Sequence, residues 1–379
     1  EDVTGVPISG GKRAVFDQTE DELLVAAGRQ IIQFAGKETK ILSEDAPDST
    51  HVAHIDGYVL AIDGNSFRHS STSPDIWEDL DTFSANGNPD NVNAIIITPF
   101  REVLVSGLKS IEQFERLPTG AVPFFRRWAV GEGVLAPYTL VFADNATWFI
   151  NQRYEFVRAS GQVTQSRGDD LGRTFESIDN WDDAWTASIN ILGKKFILLQ
   201  IPNATNIYDT LGVTVIFDYV SNKWFSLYGW DNNLSRQTRW PGWSYFPLWG
   251  RHFVGGNGKV YELNIESFTN DGVVQKILGR TAHVRAWGES RVNNVRAYLK
   301  RGSIAPNSTE PEIWLRARRD NNRWTNWKKR SLGKSGDRDI TVEFGSMGIA
   351  HSWQFEYMTT AACELELIEL RADTDKVGW

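Results

Sequence analysis

The paired acids best placed to do chemistry are in "WDDAW", residues 181–185, where Asp182 and Asp183 lie between two tryptophans. Adjacent carboxylates beside aromatic rings could bind a sugar or a cation at an exposed rim. The same residues are also typical of a polar turn that leads into a strand, because Asp favours tight turns. We prefer the turn, and a sugar or cation site remains the alternative.

Other residue types that support catalysis are scattered along the chain. His51 and His54 are three apart in a predicted strand, so their side chains point to opposite faces and cannot share a metal ion. The single Cys363 excludes an internal disulfide and an all-Cys metal site. Phosphate-binding loops, His-Glu-x-x-His pairs and Gly-x-Ser-x-Gly elbows are missing from the sequence. We therefore predict a protein that is not an enzyme and needs no cofactor or metal.

A strongly basic segment runs from Gln275 to Arg338. It holds sixteen Lys/Arg against five Asp/Glu, so the formal net charge of the segment is about +11. The net charge of the whole chain is −8, which leaves about −19 for the remainder. Such a split indicates a polyanion or an acidic protein surface as a neighbour. The candidate cations of a subunit interface or a DNA channel are Arg316, Arg318, Arg319, Arg323, Lys328, Lys329 and Arg330.

Three interpretations of this segment are open. Its tryptophans, among them Trp324 and Trp327, could stack on bases while the arginines follow a nucleic-acid backbone. Alternating Arg on strands could also be a solvated face. We favour a contact between subunits, since Arg and Trp are enriched at interface hot spots.

The elements that must position these residues are predicted strands. Sixteen Trp and twenty Phe favour half-buried strands, and thirty-two Gly suit many tight turns. Hairpins recur, and the first four hairpin turns stand about 36 to 43 residues apart, near Gly28, Gly64, Gly107 and Asn145. Repeats of roughly 40 residues with four strands each are typical of β-propeller blades. We predict an all-β β-propeller of about six to seven four-stranded blades over 1–270, with a large β-sandwich or a solenoid as the alternative.

Beyond residue 270 the period is lost and longer strands follow. We predict a smaller C-terminal all-β element over 271–379, either a small sandwich or an extension that could contribute strands to propeller closure. Near its end, Leu365, Leu367 and Leu370 alternate with glutamates, which predicts a strand with one buried face. Apolar runs do not reach the roughly 18 residues that a membrane helix requires.

The stretch 70–140 resembles the DNA-stabilisation, or tail hub, proteins of short-tailed bacteriophages. The resemblance lies in an ordered set of residues: Pro74, Asp75, Trp77, Asp90, Gly107, Ser110, Ile111, Glu112, Gly120, Pro123, Phe124, Arg126, Gly131 and Gly133. Later matches are "IFDYVSNKWFSL" (216–227), "GGNGKVYELN" (255–264) and an Asp/Trp hairpin at 316–336. The sequence departs from the family at that hairpin, where Asp320-Asn321-Asn322 replaces Asp-Gly-Gly, and at an N-terminus that begins almost directly on the first strand.

The resemblance implies a β-propeller subunit of a ring in a virion tail, with six copies. Such a ring lies below the portal and its adaptor, beside or above tail needle, fibre or spike proteins. It extends the DNA channel without reading sequence and retains the packaged genome until ejection. Assembly is expected in the bacterial cytoplasm. The alternative function is a carbohydrate-binding or glycosidase-like propeller for receptor recognition, although the catalytic set of a sialidase is not evident in the sequence.

Overall fold

The computed structural model describes residues 3–8, 11–85, 90–117, 122–191, 193–231, 233, 235–264, 266–304, 310–333 and 338–377. The chain divides into two compact units. The first is Glu1–Tyr228 with Gln237–Pro241, and the second is Gly229–Arg236 with Gly242–Trp379. The predicted domain limits, 1–270 and 271–379, remain a prediction.

Five small sheets follow one another from the N-terminus, and we call them blades 1 to 5. Each is antiparallel with its strands in chain order, except that β1 adds to β5 of blade 1 in parallel. Blade 1 has β1 (Thr4–Gly5), β2 (Val15–Gln18), β3 (Leu23–Ala26), β4 (Ile32–Ala35) and β5 (Glu38–Ile41). Blade 2 has β6 (Val52–Ile55), β7 (Tyr58–Asp63), β8 (Ser66–Ser70) and β9 (Trp77–Ser84). Blade 3 has β10 (Val92–Ile97), β11 (Glu102–Gly107), β12 (Ile111–Arg116) and β13 (Phe124–Val130).

Blades 4 and 5 continue the pattern. Blade 4 has β14 (Val141–Ala143), β15 (Ala146–Ile150), β16 (Phe156–Ser160) and β17 (Val163–Ser166). Blade 5 has β18 (Trp185–Ile191), β19 (Lys194–Thr205), β20 (Leu211–Asp218), β21 (Lys223–Asp231) and β22 (Arg236–Arg239). Two 3-10 turns (Pro137–Thr139 and Asp169–Leu171) and a short helix α1 (Gly172–Glu176) lie in the connections around blade 4.

The blades of the first unit are held together by apolar cores between successive sheets. In β11, Val103 and Val105 pack into a core shared with blade 2, whereas Leu104 packs with Phe149 of blade 4. Alternate residues of one strand therefore serve two cores, because successive side chains of a strand point to opposite faces. This explains why β11 carries a continuous apolar run, Val103-Leu104-Val105, rather than an alternating one.

Two glycines of the family-like stretch allow a close approach of the backbone in blade 3. A Cβ on Gly107 would lie 2.4 Å from Asp90 Oδ2, and that oxygen accepts the backbone N–H of Lys109 at 2.6 Å. A Cβ on Gly133 would lie 2.0 Å from the carbonyl carbon of Leu108. Asp90, Gly107 and Gly133 thus form one tightly packed corner, which only glycine at the last two positions permits.

The four predicted hairpin turns do not lie at equivalent places in their blades. Gly28 and Gly64 follow β3 and β7, and Gly107 ends β11, whereas Asn145 lies in the turn between β14 and β15, the first two strands of blade 4. The second turn of that blade contains no glycine. There, Asn151 Oδ1 accepts the backbone N–H groups of Arg153 at 2.9 Å and Glu155 at 3.0 Å, so an Asn side chain closes the turn.

The second unit begins with a small sheet, blade 6, of β23 (Ser244–Leu248), β24 (Arg251–Gly256) and β25 (Lys259–Glu262). A short hairpin follows, β26 (Thr269–Asn270) and β27 (Val273–Val274). The C-terminal sheet then comprises β28 (Ile277–Arg280), β29 (Val284–Ile304), β30 (Glu312–Arg319), β31 (Lys328–Ser331), β32 (Asp339–Thr359) and β33 (Cys363–Lys376).

The two longest strands, β29 and β32, organise the C-terminal sheet. They pair from Val284↔Trp353 to Lys300↔Asp339, β33 adds to the other edge of β29, and β28 and β30 flank the end of β32. Left-handed backbone at Ser346 and Gly348 interrupts the long pairing. Side chains from both halves of β32 share one core with β29 and β30. The leucines of β33 pack against this core and its glutamates are exposed, which confirms the predicted one-sided strand.

In the described part of the chain, blades 1 to 6 are the blades of a β-propeller, the hairpin β26–β27 follows them in the sequence, and the remaining large sheet is a C-terminal element. The predicted β-propeller with a smaller C-terminal all-β element is therefore confirmed, with six blades. The alternatives of one large sandwich or a solenoid are not observed.

The core between blades 2 and 3 should be sensitive to loss of a single ring. Phe67 is fully buried, with ring centroids of Phe114 at 5.1 Å and Phe83 at 5.4 Å. We expect Phe67→Ala to lower the free energy of unfolding by about 3–5 kcal/mol, because truncation leaves a cavity. Urea unfolding followed by circular dichroism measures this. The matched control, Phe16→Ala, removes a ring that is 58% exposed and should cost less than about 1 kcal/mol; equal losses in both variants would contradict the assigned core.

Candidate functional site

The seven predicted cations lie on one hairpin of the C-terminal sheet. Arg316, Arg318 and Arg319 are on β30, Arg323 is in the turn, and Lys328, Lys329 and Arg330 are on β31. The structure thus brings them together in space, but it uses most of them within the sheet.

Three of these cations bind backbone carbonyl groups. Arg318 donates from Nε and Nη2 to the carbonyl oxygens of Asn322 and Asn321, at 2.9 and 3.0 Å. Lys328 Nζ donates to the carbonyl oxygens of Gly345 and Ser346, and burial lowers the pKa of this ammonium group. Arg330 Nε donates to the carbonyl oxygen of Glu343 at 3.0 Å. These side chains hold turns and neighbouring strands rather than a ligand.

Arg316 belongs to a charged cluster centred on Glu356, whose side chain is fully buried on β32. Glu356 accepts from Arg316 on β30 and from Arg280 on β28, with Arg280 Nη2 at 2.6 Å. The Arg316 guanidinium also lies 4.9 Å from the Trp324 ring and 4.3 Å from the Trp327 ring. One carboxylate therefore joins three strands. Trp324 and Trp327 cover the Arg316 guanidinium, whereas the nucleic-acid interpretation had them stack on nucleotide bases.

Arg319 and Arg323 differ from the other five. Both are exposed, and among the described residues neither forms an ion pair, whereas Lys329 pairs with Glu312 at 2.6 Å. Their positions are set by Asp320, which accepts the backbone N–H groups of His351 at 3.0 Å and Ser352 at 2.8 Å. These bonds lower the pKa of Asp320. Asp320 therefore connects the turn after β30 to the neighbouring strand β32.

The paired acids of "WDDAW" form the turn that we preferred. Asp183 has a left-handed φ of 60°, and the backbone N–H of Ala184 donates to the Trp181 carbonyl at 3.0 Å. Trp185 then starts β18 as a buried residue, with Nε1 donating to Gln200 Oε1 at 2.8 Å. Trp181, at the other end of the motif, packs against Tyr154 and Phe175, so both aromatic residues serve the fold.

A buried polar cluster that the sequence did not indicate connects the starts of several blades. Arg13, just before β2 of blade 1, lies 4.5 Å from the Trp185 ring of blade 5, and burial lowers the pKa of its guanidinium to about 10. His51, just before blade 2, stacks on Tyr138 at 5.2 Å. Burial lowers the pKa of His51 to about 4, so this histidine is neutral near pH 7. His51 precedes β6 rather than lying within it, which corrects its predicted position beside His54 in a strand.

Among the described residues, groups of three or more His, Cys, Asp or Glu that could hold a metal ion do not occur. Likewise, helices long and apolar enough to cross a membrane are not found among them.

Removal of the central carboxylate tests the cluster of Arg280, Arg316 and Glu356. We expect Glu356→Gln to lower the free energy of unfolding by roughly 3 kcal/mol, because two guanidinium groups then face each other without a counter-charge. Denaturant titration provides the measurement. Glu312→Gln, which breaks the exposed pair with Lys329, should change stability by about 1 kcal/mol or less. Similar losses of unfolding free energy in the two variants would show that the buried cluster stabilises the sheet no more than an exposed ion pair does.

The neutral, buried His51 predicts a pH dependence of stability. The unfolded chain binds this proton near pH 6.5, whereas the folded chain binds it only near pH 4. The contribution of the neutral, buried His51 to the free energy of unfolding is thus complete above pH 6.5 and is lost as the pH falls towards 4. The loss amounts to about 3 kcal/mol. The urea midpoint of the wild type should fall as the pH is lowered from 7 to 6 and 5. It should fall less in His51→Phe, which keeps a ring on Tyr138. The exposed control His351→Gln should keep the wild-type slope; an unchanged slope in His51→Phe would disprove the assignment.

Comparison with solved structures finds distant similarities. The extracellular domain of a one-component system from B. thetaiotaomicron aligns at 13% identity and a TM-score of 0.43, over 69% of this chain and 33% of that one. Virginiamycin B lyase from Staphylococcus aureus aligns at 13% identity and a TM-score of 0.35, over 66% of this chain and 83% of that one. A family 43 arabinoxylan arabinofuranohydrolase from Bacillus subtilis aligns at 7% identity and 0.28, over 95% of both chains. These TM-scores are below 0.5 and identify neither an activity nor a substrate for this chain.

A family model gives the specific match, while no curated protein matches the chain. Residues 3–267, more than half of the chain, match the model described as "Bacteriophage P22 Gp10, beta-propeller". The matched range contains blades 1 to 6. It also contains the corner of Asp90, Gly107 and Gly133 from which the resemblance was argued, and it supports a structural role in a phage. The chain therefore belongs to the phage-stabilisation family described by the β-propeller of bacteriophage P22 Gp10.

Proposed function

We propose that this chain is a tail hub, or nozzle, subunit of a short-tailed phage-like virion. In this role, copies of the chain form a ring below the portal and its adaptor, extend the DNA channel and retain the packaged genome until ejection. The observation that carries the proposal is the family match over residues 3–267. The two-sided packing of the blades supports it, because a wall that confines DNA under pressure has to resist deformation.

The proposed ring has six copies and is assembled in the bacterial cytoplasm before it becomes part of the virion tail. Its partners are a portal-adaptor protein above and needle, fibre or spike proteins beside or below. Genomic DNA passes through without being read, since reading base edges in the major groove takes a helix or a β-ribbon placed for that purpose. The role requires no catalysis and no cofactor. The alternative, a glycosidase-like receptor-recognition propeller, would depend on Asp182 and Asp183, which form a turn.

Closure of a ring of identical subunits requires two different surfaces on each subunit that fit each other. The charge division of the sequence suggests that a basic surface of one subunit meets an acidic surface of the next. Arg319 and Arg323 are the candidates from the predicted set, because they are exposed and form no ion pair among the described residues. The other five side chains make contacts within the C-terminal sheet and are less available to a partner.

Charge reversal tests both the ring and the assigned surface. We expect Arg319→Glu/Arg323→Glu to lower the fraction of rings at least tenfold, because like charges then meet across the interface. Mass photometry and negative-stain electron microscopy of the purified chain measure the assembly. Higher salt should also weaken wild-type rings, since exposed charges are screened.

The control is Lys223→Glu, which reverses an exposed cation on β21. This variant should assemble as the wild type does. Normal rings in the double variant would refute the assigned surface but not the ring, whereas a wild-type chain that never forms rings at any concentration or salt would refute the ring itself.

A further inference from the structure

Two adjoining cavities lie beside blade 3: the inner one is between the sheets of blades 3 and 4, and the outer one is lined by blade 3 together with Asp56 of blade 2 and Gln162 of blade 4. The inner one has a volume of about 230 Å³ and the outer one of about 740 Å³, and they share Phe100, Glu102 and Trp128 in their walls. Together they form what we call the blade 3–4 cleft. Its size is in the range of small-molecule sites in proteins.

The pairing of strands in blade 3 arranges the wall of this cleft in rows. Leu104, Gln113 and Trp128 are direct neighbours across β11, β12 and β13, so their side chains share one face. Two residues further along β12 is Glu115, paired with Glu102, on the outer side of that row. The wall thus changes from apolar inside, through one amide, to carboxylates at the mouth.

Gln113 is the unusual residue of this wall. It is only 3% exposed and lines the outer cavity, yet its side chain makes no hydrogen bond to any residue that the structure describes. The amide opens into the outer cavity, so a molecule held there can pair with it without displacing a hydrogen bond to another described residue. An amide offers both donors and acceptors, so its best partner is a group that does both, such as a hydroxyl.

The charged groups around the mouth neutralise each other. Asp56 binds Arg101 and also Arg116, the latter at 3.1 Å, and Glu115 binds Arg127. With Glu102, three carboxylates face three guanidinium groups, so the mouth offers no net charge to a ligand. An anionic ligand would have to break an existing pair, and a hydrocarbon would leave Gln113 without a partner.

Aromatic surface is available at the same place. The Phe100 ring is 61% exposed at the turn between β10 and β11, and it is held edge-on at 5.8 Å from Phe142 of blade 4. Trp128 is half-buried beside it in both cavity walls. Aromatic rings of this kind bury the C–H faces of flat, otherwise polar molecules.

We propose that the blade 3–4 cleft binds a neutral saccharide. An apolar face of one sugar ring packs against Phe100 and Trp128, and one hydroxyl group of that ring exchanges hydrogen bonds with the Gln113 amide. Glu102 and the fixed salt bridges of the mouth accept and donate to the remaining hydroxyl groups. This is a binding site without turnover, and it does not depend on the proposed ring.

Saturation-transfer NMR and calorimetry with defined sugars test the assignment. The probes are maltotetraose, cellotetraose and mannotriose, with 3′-sialyllactose as the anionic comparison. At least one neutral probe should bind saturably, and Gln113→Leu should weaken that binding about tenfold, which corresponds to about 1.4 kcal/mol. Phe100→Ala should weaken it several-fold, because its ring supplies exposed contact surface.

Phe16→Ala, which removes an equally exposed ring from blade 1, is the control and should bind as the wild type does. Because the Phe100 side chain is exposed, Phe100→Ala decides the matter even if Gln113→Leu does not fold. The proposal is overturned if no neutral probe saturates, if only sialyllactose binds, or if Phe100→Ala keeps wild-type affinity.

Discussion

The constraint on which the rest of this structure depends is that the sheets of blades 2 to 4 bury both faces. In β11, Val103 and Val105 pack towards blade 2 while Leu104 packs towards blade 4, so one strand belongs to two cores. A strand in this position has no solvent-exposed face on which to place polar groups. Polar chemistry is therefore restricted to turns, strand ends and the gaps between neighbouring sheets. Gln113 lies in such a gap, as a buried amide between the apolar inner part of the wall and the charged mouth.

The C-terminal sheet shows how internal contacts change the meaning of a charge count. Its sequence has a large excess of cations, but Arg280 and Arg316 converge on the buried Glu356, and Lys328 binds backbone carbonyl groups. A guanidinium covered by tryptophan rings is also less accessible to a polyanion than its position in the sequence implies. Of the seven predicted cations, Arg319 and Arg323 are thus the exposed ones that make no such internal contact, whereas other cations of the segment, among them Arg285 and Arg291, are exposed as well.

Much of the fold could be predicted because its signals are local. Gly28 and Gly64 mark tight turns with positive φ between strands, and the apolar runs beside them have the length of buried strands. Asn145 marks the first turn of blade 4, because the second turn is closed by the Asn151 side chain and contains no glycine that would signal it. The partners of Asp320 and the contact of Arg13 with Trp185 could not be predicted, since each joins segments that are distant in the sequence and meet only in the folded protein.

The clustering around Glu356 has a consequence for the order in which the chain folds during synthesis. Each hairpin of blades 2 to 4 pairs neighbouring strands, so it can form soon after its residues leave the ribosome. Arg280, in contrast, meets its carboxylate 76 residues later, and Ser290 pairs with Lys376. The C-terminal sheet must therefore wait for almost all of its strands. During that delay β29 exposes unpaired edges, which makes this sheet the part of the nascent chain most in need of protection from aggregation.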